Sequence, residues 1–466
     1  MKMWSGRFRQ RLDPEFERWQ RSFPLDRRLL GHELEASRAH ARALQRAGIL
    51  SAEELASILF GLDQIAERAA APSFLEDDEA EDVHHFVEKQ LVSTIGDTGY
   101  KLHSGRSRNE QIATDLRLYA RASIDQLQEL IADWMEILVT RAERAGNAVM
   151  PAYTHLQRAE PVLVAHWLLA YVEMSGRDTE RLADCRKRAN LCPLGSGAVA
   201  GATLALDREA IAHDLGFDRP TVNSMDATGD RDFAIELVNA LSLLSTHLSR
   251  WAEEMILFST PEFGFIQLPE AYSTGSSALP QKKNPDLLEL TRAKAARVIG
   301  DATALQIGVK GLPLAYNKDL QETQEPLFDA SETLLALLPL VSGWMKAVDF
   351  DYPRMQAASQ SGFMNARAAA TYLVERGVPF RLAHEQVGKA VQRCLDKGCE
   401  LEELSLNELK ELNPAFDQDF YSRLTLPAVL AIHDVVGGTA PAQVKQAIAE
   451  AKQKIAALRG VAHAHA

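Results

Sequence analysis

The chain reads as a mainly α protein: a central bundle of long helices with smaller N- and C-terminal helical domains. Three observations carry that expectation. Apolar residues recur at three- and four-residue steps over long stretches, strand-like alternation is scarce, and shorter patterns rich in proline and glycine are confined to the two ends. The expected divisions are an N-terminal domain over 1–108, the long-helix bundle over 109–360 and a C-terminal helical domain over 361–466.

In chain order, Ser51 followed by Glu54 forms a capping box that opens a helix running towards Ala70, and Ala71-Pro72 stops it. An acidic patch from Glu76 to Asp82 leads to the pair His84-His85. Adjacent residues point to different faces, so the pair is read as structural rather than as a metal site. From Asn109, Ile112, Leu116, Ile124, Leu127, Ile131, Trp134 and Leu138 mark one helical face, with Gly146 as a natural stop. Further long helices are expected over 161–191, with Pro161 in the first turn, and over 231–258, 286–310 and 328–348. Trp167, Trp251 and Trp344 are read as core. The glycine-rich 193–201 does not fit a phosphate loop and is read as a close-packed turn. A last helix runs from Pro441 to about Leu458. Helices this apolar favour burial between subunits.

Composition excludes several functions. The 51 basic residues against 64 acidic ones give a net charge of −13, which argues against sequence-independent nucleic-acid binding. An anionic substrate remains compatible, because a local cationic cluster can dominate inside a cleft. The four cysteines make neither a C-x-x-C pair nor a zinc pattern, so a reducing compartment is the default. The apolar uncharged run Thr333–Met345 is too short to span a bilayer, and the N-terminus has no apolar signal core. A soluble, cytoplasmic chain is expected.

Four stretches carry candidate chemistry. In YSTGSSALPQKKNPDLLE (272–289), Ser276 lies on a small-residue loop followed by Lys282, Lys283, Asn284 and a helix start at Pro285, a place suited to negative charge. The plainer reading is a solvated loop. KLHSGRSRNEQ (101–111) puts Arg106, Arg108 and Asn109 at a helix N-terminus, which suits a carboxylate or, equally, ordinary capping by Ser107 or Asn109. YTHLQRAEP (153–161) offers Thr154 and His155, a residue type that is often structural but is also the commonest acid/base near neutral pH. LAYNKDLQETQEP (314–326) supplies Tyr316, Gln321 and Gln324.

The string GSSALPQKKNPD resembles the signature of the fumarase/aspartase superfamily, and its QKKNPD form resembles the argininosuccinate lyase branch, which includes the delta-crystallins. GRSRN, THLQ and YNKDLQE resemble further motifs of that branch in the same order, and the likeness extends from WSGRF (4–8) to GTAP (438–441). The resemblance implies a superfamily-type homotetramer in which three subunits build each site. It also implies cleavage of argininosuccinate to arginine and fumarate, in arginine biosynthesis, without metal or cofactor. By the same match Ser276 is the base, Lys282 and Asn284 are site residues, and His155 belongs to the proton-transfer apparatus, paired with Glu289. Ser22, Arg108, Asn109, Thr154, Tyr316 and Gln321 match substrate-binding positions. The departures are Ala278-Leu279 for Leu-Met, Glu110 for aspartate, Gly229 for serine and Gln324 for lysine. The last removes a cation, because an amide donates hydrogen bonds but cannot neutralise a carboxylate. Adenylosuccinate lyase, aspartase, fumarase and a non-catalytic crystallin-like relative are the competing readings.

Overall fold

The structure is a computed structural model that describes residues 10, 12–77 and 79–465. The WSGRF stretch at 4–8 lies outside them. The long helices are Arg108–Ala145, Val164–Ala189, Asp232–Ser259, Asp286–Val309 and Gln324–Ala347. The first has 38 residues, hence a length of about 57 Å at the standard rise. Gly146, at φ 53°, ends it in the left-handed conformation that suits glycine. The fifth carries Pro339 in its interior. The capping box at Ser51 is formed in full and opens Ala52–Arg68.

One expectation needs correction. Pro161 does not open the second long helix; it lies in the strand Gln157–Leu163, paired antiparallel with Val149–Thr154, and the helix starts at Val164. Pro151 faces Pro161 across this ladder. Neither has an N–H to donate, so the pairing strands no donor. The last helix runs to His465, past the expected stop at Leu458.

The described chain divides into two compact units. One comprises residues up to Leu127 with Glu180–Ser245 and Lys294–Leu335; the other comprises Gln128–Thr179, Thr246–Ala293 and Ala336 onwards. In the first, Ala36, Ala39, Ala43, Leu118, Leu194, Ile211 and Phe217 pack into one core. Phe23 stacks on Phe86 at 4.9 Å. The second is built on a tryptophan ladder: Trp251 stands edge-on to Trp134 at 5.1 Å and to Trp344 at 5.2 Å. Trp167 is only half-buried and donates to Glu254 Oε2 at 2.8 Å. Beyond Ser361 shorter helices enclose a separate cluster around Tyr372, Phe416 and Phe420. Among the described residues no helix is long and apolar enough to cross a membrane.

Candidate active site

The loop bearing Ser276 has a stem. Thr274-Gly275 pairs with Lys283-Asn284, so residues 276–282 form the head of a short hairpin. Thr274 donates through its N–H (3.2 Å) and hydroxyl (2.6 Å) to Asp286 Oδ2, which ties the stem to the first turn of the following helix. Ser276 Oγ accepts from the N–H groups of Ala278 (3.3 Å) and Leu279 (3.1 Å). Two N–H donors aimed at one hydroxyl oxygen stabilise negative charge on it, the requirement for serine to act as a base. Lys283 pairs with Glu270 at 2.9 Å, whereas the Lys282 side chain is exposed and has no partner among the described residues. Asn284 donates to Thr274 Oγ1 and the Gly275 carbonyl, leaving its Oδ1 buried and unpartnered. Glu289 is exposed on the helix that follows.

Thr154 and His155 sit at the other hairpin of the same unit. Thr154 pairs with Gln157, so His155 and Leu156 are the whole two-residue turn, at φ 55° and 57°. Such a turn normally takes Asn-Gly, because both positions are left-handed. A histidine and a leucine there store roughly 1–2 kcal/mol each. Backbone strain of this kind gathers at functional sites. The hairpin is fixed at its base by Leu163 N–H on Thr439 Oγ1 (2.8 Å) and near its tip by Arg158 on Ser361 Oγ (2.9 Å). Among the described residues no hydrogen bond or ion pair joins His155 to Glu289. The tip flanks a cavity of about 500 Å³ lined by Tyr153, Arg158, Glu262, Phe263 and Arg354. Arg354 is committed to backbone carbonyls there, and Arg158 donates through Nη1 to the Ala358 carbonyl and Ser361 Oγ.

The substrate-binding candidates of the first unit gather along the chain from Asp77 to Asp82. Ser22 donates to Asp26 Oδ2 at 2.6 Å, Asp26 Oδ1 accepts from Val83 N–H at 2.9 Å, and Asp82 pairs with Arg108 at 2.9 Å. Arg21 binds the carbonyls of Ala80 and Asp77, and Gln321 binds that of Gln20 at 3.2 Å. Burial pushes the Tyr316 hydroxyl up from its ordinary value, Arg231 opposes the rise, and Asp82, Asp26 and Glu81 add to it. It follows Ala315, left-handed at φ 65°. Gly229 explains how that loop packs: a Cβ there would stand 2.6 Å from the Ala315 carbonyl oxygen. Asn109 donates to the Ala198 carbonyl at 3.2 Å, in the turn read from the sequence as close-packed. Glu110 accepts from the N–H groups of both Ser107 (2.9 Å) and Gly195 (2.6 Å), a span that uses its extra methylene over aspartate. Gln324 is buried, with Oε1 unpartnered.

Sequence reasoning missed the ionic cluster behind these residues. His84 Nε2 lies 3.1 Å from Asp115 and 3.8 Å from Glu33, and its Nδ1 lies 3.6 Å from Asp82. Burial and Arg108 oppose a charge on His84, yet the neighbouring Asp115 and Asp82 carboxylates outweigh them and push its pKa up to about 10. Burial, then Glu33, pushes Asp115 up to about 7; burial, then Asp82, pushes Asp26 up to about 6. Burial opposes the charge on Asp82, but Arg108 and His84 hold it well below the usual range. Glu33, His84 and Asp115 converge closely enough to suggest a cation site. Arg106, 3.7 Å from Glu33, and protonated His84 already supply positive charge there. The Asp-x-His spacing of Asp82 and His84 was the available signal.

The structure thus gathers Ser276, Lys282, Asn284 and Glu289 on one hairpin and helix start. It gathers Ser22, Arg108, Tyr316 and Gln321 near the acidic segment, and it leaves Thr154 and His155 at their own tip.

The profile of the Lyase family matches residues 6–300, and that of the argininosuccinate lyase C-terminal family matches residues 363–431. The argininosuccinate lyase of Koribacter versatilis (strain Ellin345) is 60% identical over 466 residues, covering 100% of both chains. That of Acidobacterium capsulatum is 60% identical and covers 97% of this chain and 94% of its own. The crystal structure of EDDS lyase in complex with formate superposes with a TM-score of 0.83 at 27% identity, over 98% of this chain and 93% of that one. The 3-carboxy-cis,cis-muconate lactonizing enzyme from Pseudomonas putida shares the fold, with a TM-score of 0.74 at 20% identity over 95% of this chain and 100% of that one.

Proposed function

Because the chain belongs to the argininosuccinate lyase family, we propose that it catalyses the reversible β-elimination of L-argininosuccinate to L-arginine and fumarate. The observation that carries the reading is the Ser276 hydroxyl held by two backbone N–H groups at the head of its hairpin. Ser276 removes a proton from the succinyl carbon beside a carboxylate, and the electrons pass into a dianionic aci-carboxylate. Lys282, Asn284 and loop N–H groups hold that charge. The C–N bond then breaks as the guanidino nitrogen takes up a proton.

His155 serves that nitrogen side, polarised by Glu289 of another copy, while Thr154, Ser22, Arg108, Asn109, Tyr316 and Gln321 hold the substrate. The assembly is a homotetramer with each site drawn from three subunits, working in the cytoplasm. A lone chain's exposed His155 and unpartnered Lys282 fit that arrangement. The scheme calls on no cofactor.

The test follows fumarate absorbance with wild type and Ser276→Ala given argininosuccinate, adenylosuccinate or aspartate. Turnover of argininosuccinate alone, lost in the variant, is expected; turnover of adenylosuccinate instead would overturn the substrate. The competing reading, a non-catalytic relative, draws on Gln324 in place of lysine, and wild-type inactivity on all three would favour it. Restoring the cation with Gln324→Lys is expected to change KM more than kcat, because it affects binding rather than the chemical step.

A further inference from the structure

The helix Phe380–Lys397 ends in a left-handed glycine, Gly398, at φ 66° and ψ 42°. Gly398 N–H bonds the Leu395 carbonyl (3.4 Å) and Cys399 N–H bonds the Cys394 carbonyl (3.0 Å). This pair of bonds defines a Schellman cap, and such a cap brings two particular side chains together: the residue after the glycine and the one five positions before it. In most proteins these are apolar. Here both are cysteines. Cys394 is fully buried in the cluster around Tyr372 and Phe416, Cys399 packs partly buried against the same cluster, and both are free thiols. The N–H···O=C bond between them limits their Cα separation to about 7 Å by bond lengths alone. That is the span a disulfide bridges.

We propose that Cys394 and Cys399 form a reversible disulfide site, closed by small disulfides of the glutathione class. Cys399, the more accessible thiol, attacks as thiolate. One sulfur of the small disulfide leaves as a thiol, and a mixed disulfide remains on Cys399. Cys394 then loses its proton and attacks the Cys399 sulfur, releasing the second small thiol. Two cysteine thiols are oxidised to one disulfide while one small disulfide is reduced to two thiols. The order follows from the surroundings. Cys399 is only partly buried, whereas Cys394 is fully buried, so the small disulfide meets Cys399 first. Burial, then the contact with Cys399, pushes the Cys394 thiol up to about 12, which suits it to the second, intramolecular step. Cys185 and Cys192 are fully buried and serve as internal controls.

The full-length native protein is incubated with oxidised glutathione, then unfolded, alkylated and digested with trypsin. Cleavage after Arg393, Lys397 and Lys410 separates the two cysteines onto the peptides CLDK and GCELEELSLNELK. The expected product is these two peptides joined, lighter than their sum by two hydrogen atoms. Titratable thiols in the unfolded protein fall from the four cysteines of the chain to two, and dithiothreitol restores them. Cys394→Ser should arrest the reaction at a stable glutathione adduct on Cys399, and Cys399→Ser should leave Cys394 as a thiol. The proposal fails if both cysteines remain alkylated, or if wild type stops at the Cys399 adduct.

Discussion

At the scale of single residues, the turn at His155 and Leu156 shows position traded for stability. Both lie in the left-handed region that β-carbons disfavour, at the tip where the proposed proton-transfer histidine must project. Leu156→Gly is expected to relieve the strain and stabilise the protein by about 1 kcal/mol, visible as a raised Tm. A lowered Tm would mean that the exposed leucine makes contacts that outweigh its backbone cost. His155→Asn keeps a residue that tolerates the turn while removing the imidazole. It should leave Tm within a few degrees of wild type and lower kcat at least ~100-fold, the usual worth of a general acid or base. Ser276, His155 and Gln324 can be picked out in the sequence as candidates because motifs mark residues directly. Asp26 and the role of His84 cannot be. A charge network assembled from three distant segments leaves no periodic trace, and the adjacent His85 invited a purely local reading.

At the scale of elements, the long helices were legible because a run of apolar positions at helical spacing has few alternative uses. The hairpin before the second long helix was not, because its turn lacks the glycine or asparagine that announces a tight turn, and Pro161 fits a first helical turn equally well. The His84 cluster clasps three helices through Glu33, His84 and Asp115. Its pH dependence has a definite sign. The folded-state pKa of His84 is raised from 6.5 to about 10, so its stabilisation is fully present below pH 6.5 and is lost as pH rises through 10. Asp26 and Asp115 are raised as well, so they favour the folded state most at low pH. Thermal melts between pH 7 and 10.5 should show wild type converging on His84→Gln as pH rises, and a constant gap would refute the assignment. The tryptophan ladder is the second unit's counterpart. Trp251 touches two other tryptophans edge-on, so Trp251→Ala should cost about 3–5 kcal/mol in denaturant unfolding, with cavity formation as the cause.

At the scale of the whole molecule, the proposed chemistry needs groups carried on two different hairpins. If each site combines Ser276 from one copy with His155 from another, two dead variants can complement each other. Ser276→Ala and His155→Asn, unfolded together and refolded, should recover roughly a quarter of wild-type activity, since a random hybrid gives each site an even chance for each group. Recovery indistinguishable from zero, with correct assembly confirmed by light scattering, would place both groups in the same subunit. The sequence alone pointed to shared sites only through the family resemblance, because no periodicity or spacing encodes which copy supplies which residue.

The close approach of Gly229 to Ala315 has an evolutionary corollary. A serine at 229, the residue that the motif resemblance would place there, has no room while the backbone before Tyr316 keeps its present path. The two positions are therefore epistatic: Gly229→Ser alone should displace the tyrosine and impair turnover, and serine would become neutral only with a re-routed 313–317 segment.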